Sequence, residues 1–210
     1  MQLFIDNDIL LKLGSASLLQ NLNKIFNVSN ESIYILSTAK HYISNNKNLE
    51  KKYSKKTLAQ ILEAINKYSI IPDEYLDQET FLKLSNILNI DTGEQILFSI
   101  RPPSDEFHIL TGDKLSIQAL YSNLAIEGIA TELKNKIVCL EYLFLRFIQT
   151  EKIESFSAKI KEASFCGDKV LELIFNQTFI SKEIIIEGLL SYFNDINNRI
   201  NDNLFKDSFQ

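Results

Sequence analysis

The alternation of short apolar runs with longer amphipathic segments, over the first two thirds of the chain, constrains its fold most. The runs are rich in the β-branched and aromatic residues that favour strands, and the segments between them repeat apolar residues at helical spacing. The strand-like runs are QLFI (2–5), SIYILS (32–37), FHIL (107–110) and KIVCLE (136–141). Because a parallel pair of strands needs a long crossover, this alternation is typical of a parallel sheet flanked by helices. We therefore predict an α/β fold with a central, mostly parallel sheet of four or five strands.

The last third of the chain has a different pattern. Beyond Thr150 the apolar residues follow helical spacing to the end, as in DKVLELIF and KEIIIEGLLSYFNDINNRI. The chain has 210 residues, of which 45% are hydrophobic, and this is enough for one core with an extension. We predict one domain over residues 1–150 and an α-helical extension, packed on it, over residues 151–210.

Two predicted helices begin close to acidic residues. The first covers Asp8–Leu22 and follows the first strand directly. The second begins in DTGEQILFSI, where Asp91 is a good N-cap and Glu94 follows at the spacing of a capping box. It must end before RPP, because two consecutive prolines forbid continuation of a helix.

Carboxylates follow the ends of two predicted strands. Asp6 and Asp8 come directly after QLFI, and Asp113 ends FHILTGD. Parallel strands end at one edge of a sheet, where α/β folds place their sites, so we expect these acids to converge with Asp91 and Glu94. Crowded carboxylates repel one another unless a cation binds, and clustered oxygen ligands suit Mg²⁺ or Mn²⁺. The pattern therefore indicates a divalent-metal site formed by Asp6, Asp8, Asp91, Glu94 and Asp113.

The same acids also have structural interpretations. Asp8 could cap the helix after the first strand, and Asp91 and Glu94 could form a capping box and nothing more. Asp113 could cap the helix that follows it. Asp6 has no obvious partner of this kind, and its position after a buried strand favours membership of a site.

Other chemistry-bearing residues have simpler interpretations. His41 is expected on a helix surface and His108 packed in the core, while Glu141 is expected at a solvated helix start. Cys139 and Cys166 have neither metal-ligand spacing nor a disulfide pattern and are predicted to be buried thiols. The sequence contains no Ser–His–Asp arrangement and no glycine-rich phosphate loop that would compete with the carboxylate site.

The net charge and the hydropathy pattern limit the classes of binding partner and the cellular location that we expect. The net charge is −5 at pH 7, which argues against a large basic face for duplex nucleic acid. A local basic rim is still available in NNKNLEKKYSKK (45–56), although such a run is more often a solvated face. The start MQLFIDNDIL does not have the pattern of a signal peptide, and the apolar runs are too short to span a bilayer. We predict a cytoplasmic protein with no membrane contact.

Three motifs resemble those of the PIN domain family. LFIDNDILLKLG resembles the opening of a PIN domain, in which an acid ends the first strand, and DTGEQILFSI resembles the D-x-G-E helix start of some PIN branches. HILTGDK resembles the later strand that ends in Thr-Asx-Asp, and order and spacing agree over about the first 145 residues. The resemblance implies a three-layer α/β fold and a ribonuclease dependent on Mg²⁺ or Mn²⁺. Many such proteins are toxins of bacterial toxin–antitoxin pairs.

The resemblance also implies roles and partners. Asp6, Glu94 and Asp113 would be the catalytic metal-site acids, and Asp8 and Asp91 would support them. The substrate would be single-stranded or structured RNA, and a basic antitoxin or a second copy of the chain would be the protein partner. The chain departs from the family pattern in the helix after the second strand, where STAKHYI (37–43) has no carboxylate.

Two other functions stay open at this point. The missing acid in STAKHYI would suit a PIN-like interaction module that no longer cuts. Alternatively, FIDNDIL resembles the D-x-D opening of haloacid dehalogenase-like phosphatases, and TGDK resembles their later Gly-Asp metal motif. The Thr/Val-rich continuation and the second downstream Asp of that family are lacking, so the phosphatase ranks below the nuclease.

Overall fold

The protein contains one five-stranded sheet whose paired strands are all parallel. The structure is a computed structural model and describes residues 1–163, 168–175 and 181–206. The strand order is β3-β2-β1-β4-β5. The strands are β1 Gln2–Ile5, β2 Ile33–Ile35, β3 Ser69–Ile70, β4 Phe107–Thr111 and β5 Ile137–Cys139. The predicted α/β class with a parallel sheet is therefore confirmed.

The predicted strands agree with four of the five observed ones. The prediction for β1 is confirmed, and β2, β4 and β5 lie within or next to the predicted runs. β3 was not assigned from the sequence, because it has two residues, Ser69 and Ile70, and is too short to show alternation. It pairs with β2 alone in the described sheet and forms one edge.

Helices connect all the strands and continue after the last one. Those in the first half are α1 Asn7–Ser15, α2 Leu22–Phe26, α3 Ala39–Asn45, α4 Lys47–Lys52, α5 Lys55–Ile65, α6 Gln78–Leu84 and α7 Thr92–Phe98. Those in the second half are α8 Lys114–Ser122, α9 Glu127–Glu132, α10 Leu140–Thr150, α11 Ile153–Glu162, α12 Lys169–Phe175 and α13 Lys182–Arg199. Among the described residues no helix is long and apolar enough to cross a membrane.

The prediction of one helix over Asp8–Leu22 is wrong. α1 ends at Ser15, and Ser17 takes the left-handed conformation with φ of 55°. A 3₁₀ turn then leads into α2, which starts at Leu22. The apolar periodicity continues through this break because both helices bury their apolar residues in the same core. Periodicity therefore indicated the buried face correctly but missed the break between the two helices.

The segment rich in Lys and Asn that follows α3 forms the separate helix α4. The Asn46 side chain caps α4 by accepting a hydrogen bond from the Asn48 N–H at 2.9 Å. Leu49 and Tyr53 are the buried anchors of this segment, and the lysines around them are exposed.

The strand order creates a crevice beside the central strand. The chain leaves β1 toward β2 on one side, and β4 later pairs with the other side of β1. In open α/β sheets a crevice forms outside the carboxyl ends of the strands where the order reverses in this way. Leu3, Phe4 and Ile5 are fully buried, so β1 holds the end of this crevice rigidly.

The C-terminal part packs against the sheet and α10. The Phe193 ring on α13 lies 5.5 Å from the Tyr142 ring, and the Phe205 ring lies 4.1 Å from His108 on β4. The Phe205 N–H donates a hydrogen bond to the Ile137 carbonyl of β5 at 2.9 Å. His108 is half-buried and its ring contacts Phe26 and Phe205, so the prediction of a packed histidine agrees with the structure in part. The proposed boundary between residues 150 and 151 stays a prediction.

Candidate carboxylate site

A cavity of about 920 Å³ opens at the carboxyl ends of β1 and β4. Its walls come from the starts of α1, α7 and α8, from α3 and α4, and from the residue before α12. All five predicted site acids line this one cavity, and they are Asp6, Asp8, Asp91, Glu94 and Asp113. The expectation that these acids share one edge of the sheet agrees with this placement.

Asp6 joins the end of β1 to the start of α1. Its backbone N–H donates to the Leu110 carbonyl of β4 at 3.0 Å, which fixes it beside the neighbouring strand. Its side chain caps α1 by accepting a hydrogen bond from the Asp8 N–H at 3.3 Å, and the residue is only 9% exposed. The interpretation of Asp8 as the N-cap is therefore wrong, because Asp6 is the N-cap and α1 already begins at Asn7. Asp8 instead lies in the first turn.

Asp91 and Glu94 form the predicted capping box at the start of α7. The Asp91 Oδ1 accepts from the Glu94 N–H at 3.0 Å, and the Glu94 Oε2 accepts from the Asp91 N–H at 2.8 Å. Gly93 brings this helix start close to β1. A Cβ atom at Gly93 would lie 3.3 Å from the Asp91 Oδ1 and 4.0 Å from the Asp6 Oδ1. The capping box thus forms part of the cavity wall.

Asp113 caps α8 on the other side of the crevice. Its Oδ1 accepts hydrogen bonds from the Leu115 N–H at 2.8 Å and the Ser116 N–H at 2.9 Å. Both interpretations of this residue therefore hold together, because it is a helix cap and it lines the cavity. Unlike Asp6 and Glu94, Asp113 is exposed, so it can change partners without a large desolvation cost.

The carboxylates in this cavity affect one another's protonation. Burial raises the pKa of Glu94 to about 8, and the charges of Asp113, Asp91 and Asp6 act in the same direction. Burial also raises the pKa of Asp6 to about 6, with the charges of Asp8 and Asp91 adding to the effect. Hydrogen bonds from the backbone oppose both shifts. The cavity is therefore a place where negative charge is costly unless a cation is present.

The donor chemistry of the cavity suits a divalent cation, but the side chains do not yet form a ligand set. Within residues 1–163, 168–175 and 181–206, no group of three or more His, Cys, Asp and Glu side chains could hold a metal ion as it stands. The Glu94 Oε2 is used in the capping box, which leaves its Oε1 for a ligand. Metal binding would therefore require some of these carboxylates to turn toward one point.

Lys12 and Asp168 also line the cavity and were not identified from the sequence. The Lys12 Nζ lies 2.8 Å from the Asp8 Oδ2 and 2.9 Å from the Asp168 Oδ2. Lys12 and Asp8 are four residues apart in α1, and this spacing is a signal that could have revealed the pair. Asp168 is 156 residues away from Lys12, so no local pattern predicts that contact.

The prediction that Glu141 is exposed to solvent is wrong. It was expected at a solvated helix start, but it is 1% exposed and lies 2.5 Å from the Lys114 Nζ. Its neighbours in the sequence are nearly all apolar, which could have indicated burial. The prediction of a buried thiol is confirmed for Cys139, whose pKa is raised by burial. Cys166 lies outside the described residues.

The helix after the second strand contributes no acid to the cavity. From α3 and the turn before it, Thr38 and Tyr42 line the cavity wall. His41 is exposed, as predicted, and its Nδ1 is paired with the Asn45 side chain at 2.9 Å.

Comparison with known proteins does not assign a family to this site. Searches of protein-family models, of curated proteins and of solved structures returned no match. The chemistry of the site therefore rests on the residues that line the cavity.

Proposed function

We propose that this protein is a divalent-metal-dependent ribonuclease of PIN type. The observation that supports the proposal is the gathering of Asp6, Asp91, Glu94 and Asp113 around one crevice at the carboxyl edge of a parallel sheet. These four acids come from the ends of two neighbouring strands and from one helix start, so only the folded chain brings them together. Raised pKa values at Asp6 and Glu94 support a need for positive charge in the cavity.

In this proposal Asp6, Glu94 and Asp113 would hold Mg²⁺ or Mn²⁺, and Asp8 and Asp91 would support them. The bound cation would activate a water molecule and neutralise charge on the phosphoryl group. The helix caps hold these residues on the cavity wall, and some of their carboxylates would turn toward the cation when it binds. Lys12 holds Asp8 through an ion pair and so orients it without removing its charge.

Cleavage of a single-stranded RNA in the presence of Mn²⁺ tests the proposal. Asp6→Asn and Glu94→Gln keep the hydrogen-bond acceptors of both caps while removing one charge each. We expect each to lower the cleavage rate by at least about 100-fold. Asp77→Asn is the matched control, because Asp77 caps α6 through Thr80 and does not line the cavity. Equal rates for wild type and Asp6→Asn would contradict the proposal.

The toxin role is a separate part of the proposal. Expression of the wild-type chain in a bacterial host should arrest growth, and Asp6→Ala should relieve the arrest. A basic antitoxin would be the expected partner of an acidic chain with net charge −5. Cleavage in vitro without growth arrest would leave a ribonuclease that is not a toxin.

A catalytically degenerate PIN-like interaction module is the second candidate. Two observations favour it: the capping box already uses Asp91 and Glu94, and α3 has no acid on the cavity wall. Calorimetry with Mn²⁺ distinguishes the two, since a nuclease should bind the ion and Asp6→Asn should bind it much more weakly. If neither protein binds Mn²⁺, the module is favoured.

Turnover of small phosphomonoesters, with a phosphate mimic trapped at Asp6, would instead indicate a phosphatase.

A further inference from the structure

Positive charge is strongly segregated in this chain. Residues 40–56 contain six lysines and one acid, Glu50, which gives this segment a charge of +5. The whole chain has 22 Lys and Arg against 27 Asp and Glu, so the remaining residues carry −5 minus +5, or −10. We use the term lysine strip for the exposed lysines of α4 and the first turn of α5, which are Lys47, Lys51, Lys52, Lys55 and Lys56.

The lysine strip borders the carboxylate cavity directly. Lys52 itself lines the cavity, together with Leu49 and Tyr53 of the same segment. Leu49 and Tyr53 are buried, so they fix α4 against the core while the lysines face outward. The strip is thus a rigid basic margin beside an acidic cavity.

The lysines of the strip differ from the other lysines that line the cavity. Lys12 is paired with Asp8 and Asp168, and Lys114 is paired with Glu141. By contrast, four lysines of the strip form no ion pair within the part of the chain that the structure describes. These are Lys47, Lys51, Lys55 and Lys56. Their charge is therefore available for an anion that approaches from outside.

Tyr42 adds an aromatic surface at the same margin. It lines the cavity from α3 and is 38% exposed, so part of its ring is accessible from outside. Proteins that bind single strands combine a basic groove for the phosphates with aromatic rings on which bases stack. A duplex hides its base faces, so Tyr42 could not stack on a base within it. The combination therefore favours a single strand.

We propose that the lysine strip binds the phosphate backbone of single-stranded nucleic acid and that Tyr42 stacks on a base at the entrance of the cavity. This inference rests on the proposed nuclease function for its purpose, since the strip would lead the strand to the carboxylates. The binding itself requires only charge and stacking and can be measured without cleavage.

Fluorescence anisotropy with a short labelled single-stranded RNA, in EDTA so that no cleavage occurs, tests the inference. The strip variant combines Lys51→Gln, Lys55→Gln and Lys56→Gln. The control combines Lys24→Gln, Lys67→Gln and Lys134→Gln, which removes the same charge from exposed positions that do not line the cavity. We expect the strip variant to bind at least about 10-fold more weakly and its salt slope, log Kd against log salt, to fall by about 2, while the control changes little.

Tyr42→Ala separates stacking from charge. We expect it to weaken RNA binding by about 10-fold or more and to leave the salt slope unchanged, because stacking releases no counterions. Its binding to heparin, a polyanion without bases, should equal that of wild type. Loss of heparin binding together with RNA binding would overturn the stacking role of Tyr42.

The outcomes distinguish this inference from the proposed function. Equal RNA affinity for the strip variant and the control variant would overturn the inference, even if wild type cleaves RNA. Tighter binding of wild type to duplex RNA or to anionic lipid vesicles than to the single strand would also overturn it. If the strip variant loses affinity while wild type never cleaves, the inference is supported and the nuclease proposal fails.

Discussion

Five carboxylates in the cavity also act in helix capping, and they are those of Asp6, Asp91, Glu94, Asp113 and Asp168. A capping carboxylate normally stabilises a protein, through its hydrogen bond and through the helix dipole. At Asp6 and Glu94 burial and neighbouring charge oppose this benefit, and the raised pKa values show that the ionised forms are disfavoured overall. In each of these two residues the carboxylate that caps the helix is therefore also a buried charge that lowers the stability of the protein.

Asp6→Asn and Glu94→Gln should stabilise the metal-free protein. Both variants keep the capping acceptor and remove a buried charge, so we expect the free energy of unfolding to rise by about 1 kcal/mol, and Tm by about 2–4 °C. The measurement is thermal unfolding in EDTA at about pH 9, which lies above the pKa of both carboxylates. On the proposed function, excess Mn²⁺ should reverse the order, because only the intact metal site would gain ligand-binding energy. Lower Tm values for both variants in EDTA would show that the caps need the charge.

His108 should make the stability of the protein sensitive to mild acid. Burial lowers the pKa of His108 to about 4, and the charges of Lys136 and the amino terminus act in the same direction. The folded-state pKa lies below the unfolded value of 6.5, so this contribution is present above about pH 6.5 and is lost as the pH falls toward about 4.

Replacement of His108 by Phe isolates this contribution. Between about pH 6.5 and pH 4 the wild-type free energy of unfolding should fall more steeply than that of the variant, by up to about 1.4 kcal/mol per pH unit. Urea unfolding at a series of pH values measures the two slopes. Because other groups titrate identically in both proteins, their difference reports His108 alone. Parallel slopes would mean that the pKa of His108 is the same in the folded and the unfolded protein.

At the scale of elements, α1 packs closely on α5 at a glycine. Gly14 lies in the last turn of α1, and a Cβ atom there would come within 2.4 Å of the Ile61 Cγ1 and 2.9 Å of its Cδ1. Any larger residue at this position would therefore require Ile61 to move.

The glycines of α1 and α9 should respond oppositely to replacement by alanine. Gly14→Ala should destabilise the protein by about 1–3 kcal/mol, since Ile61 must move within a packed core. Gly128→Ala should be neutral or stabilising by up to about 1 kcal/mol, because it lies in α9 with no neighbouring atom within 4 Å and alanine favours helices. Denaturant unfolding of both variants gives the comparison. A stabilising Gly14→Ala would mean that α1 and α5 are less closely packed.

At the scale of the whole molecule, the C-terminal helices complete the cavity. Asp168 caps α12 through the Leu171 N–H at 3.2 Å, and its other oxygen pairs with Lys12 of α1. The side chains of Lys12 and Asp168 are 13% and 12% exposed, so their pairing is partly shielded from water. The ion pair thus ties the last third of the chain to the start of the first helix.

Removal of the ion pair between Lys12 and Asp168 should destabilise the protein, by an amount that depends on which of the two residues is replaced. Asp168→Asn keeps the cap of α12 and leaves Lys12 paired with Asp8, so we expect a cost of about 1 kcal/mol. Lys12→Met leaves two carboxylates without their cation and should cost about 2–3 kcal/mol. A double-mutant cycle should show a coupling above about 0.5 kcal/mol. A coupling near zero would indicate that solvent already screens the pair.

Local sequence patterns determined much of this fold. Alternating strands and helices specified the α/β class, and β1, β4 and the capping box at Asp91 and Glu94 followed from neighbouring residues alone. The placement of acids at strand ends also predicted which side chains would share an edge of the sheet. These features could be predicted because hydrophobic periodicity and capping depend on residues close in the sequence.

Only the tertiary structure decided the rest. The capping of α1 by Asp6, the burial of Glu141 against Lys114 and the pairing of Lys12 with Asp168 all depend on chain segments far apart or on helix ends that shift by a residue. A charged side chain is buried only where a partner from elsewhere in the fold offsets its desolvation, and no local pattern contains that partner. The sequence thus determined which acids lie at the carboxyl edge of the sheet. The packing of the chain determined which hydrogen bonds and ion pairs each of them forms.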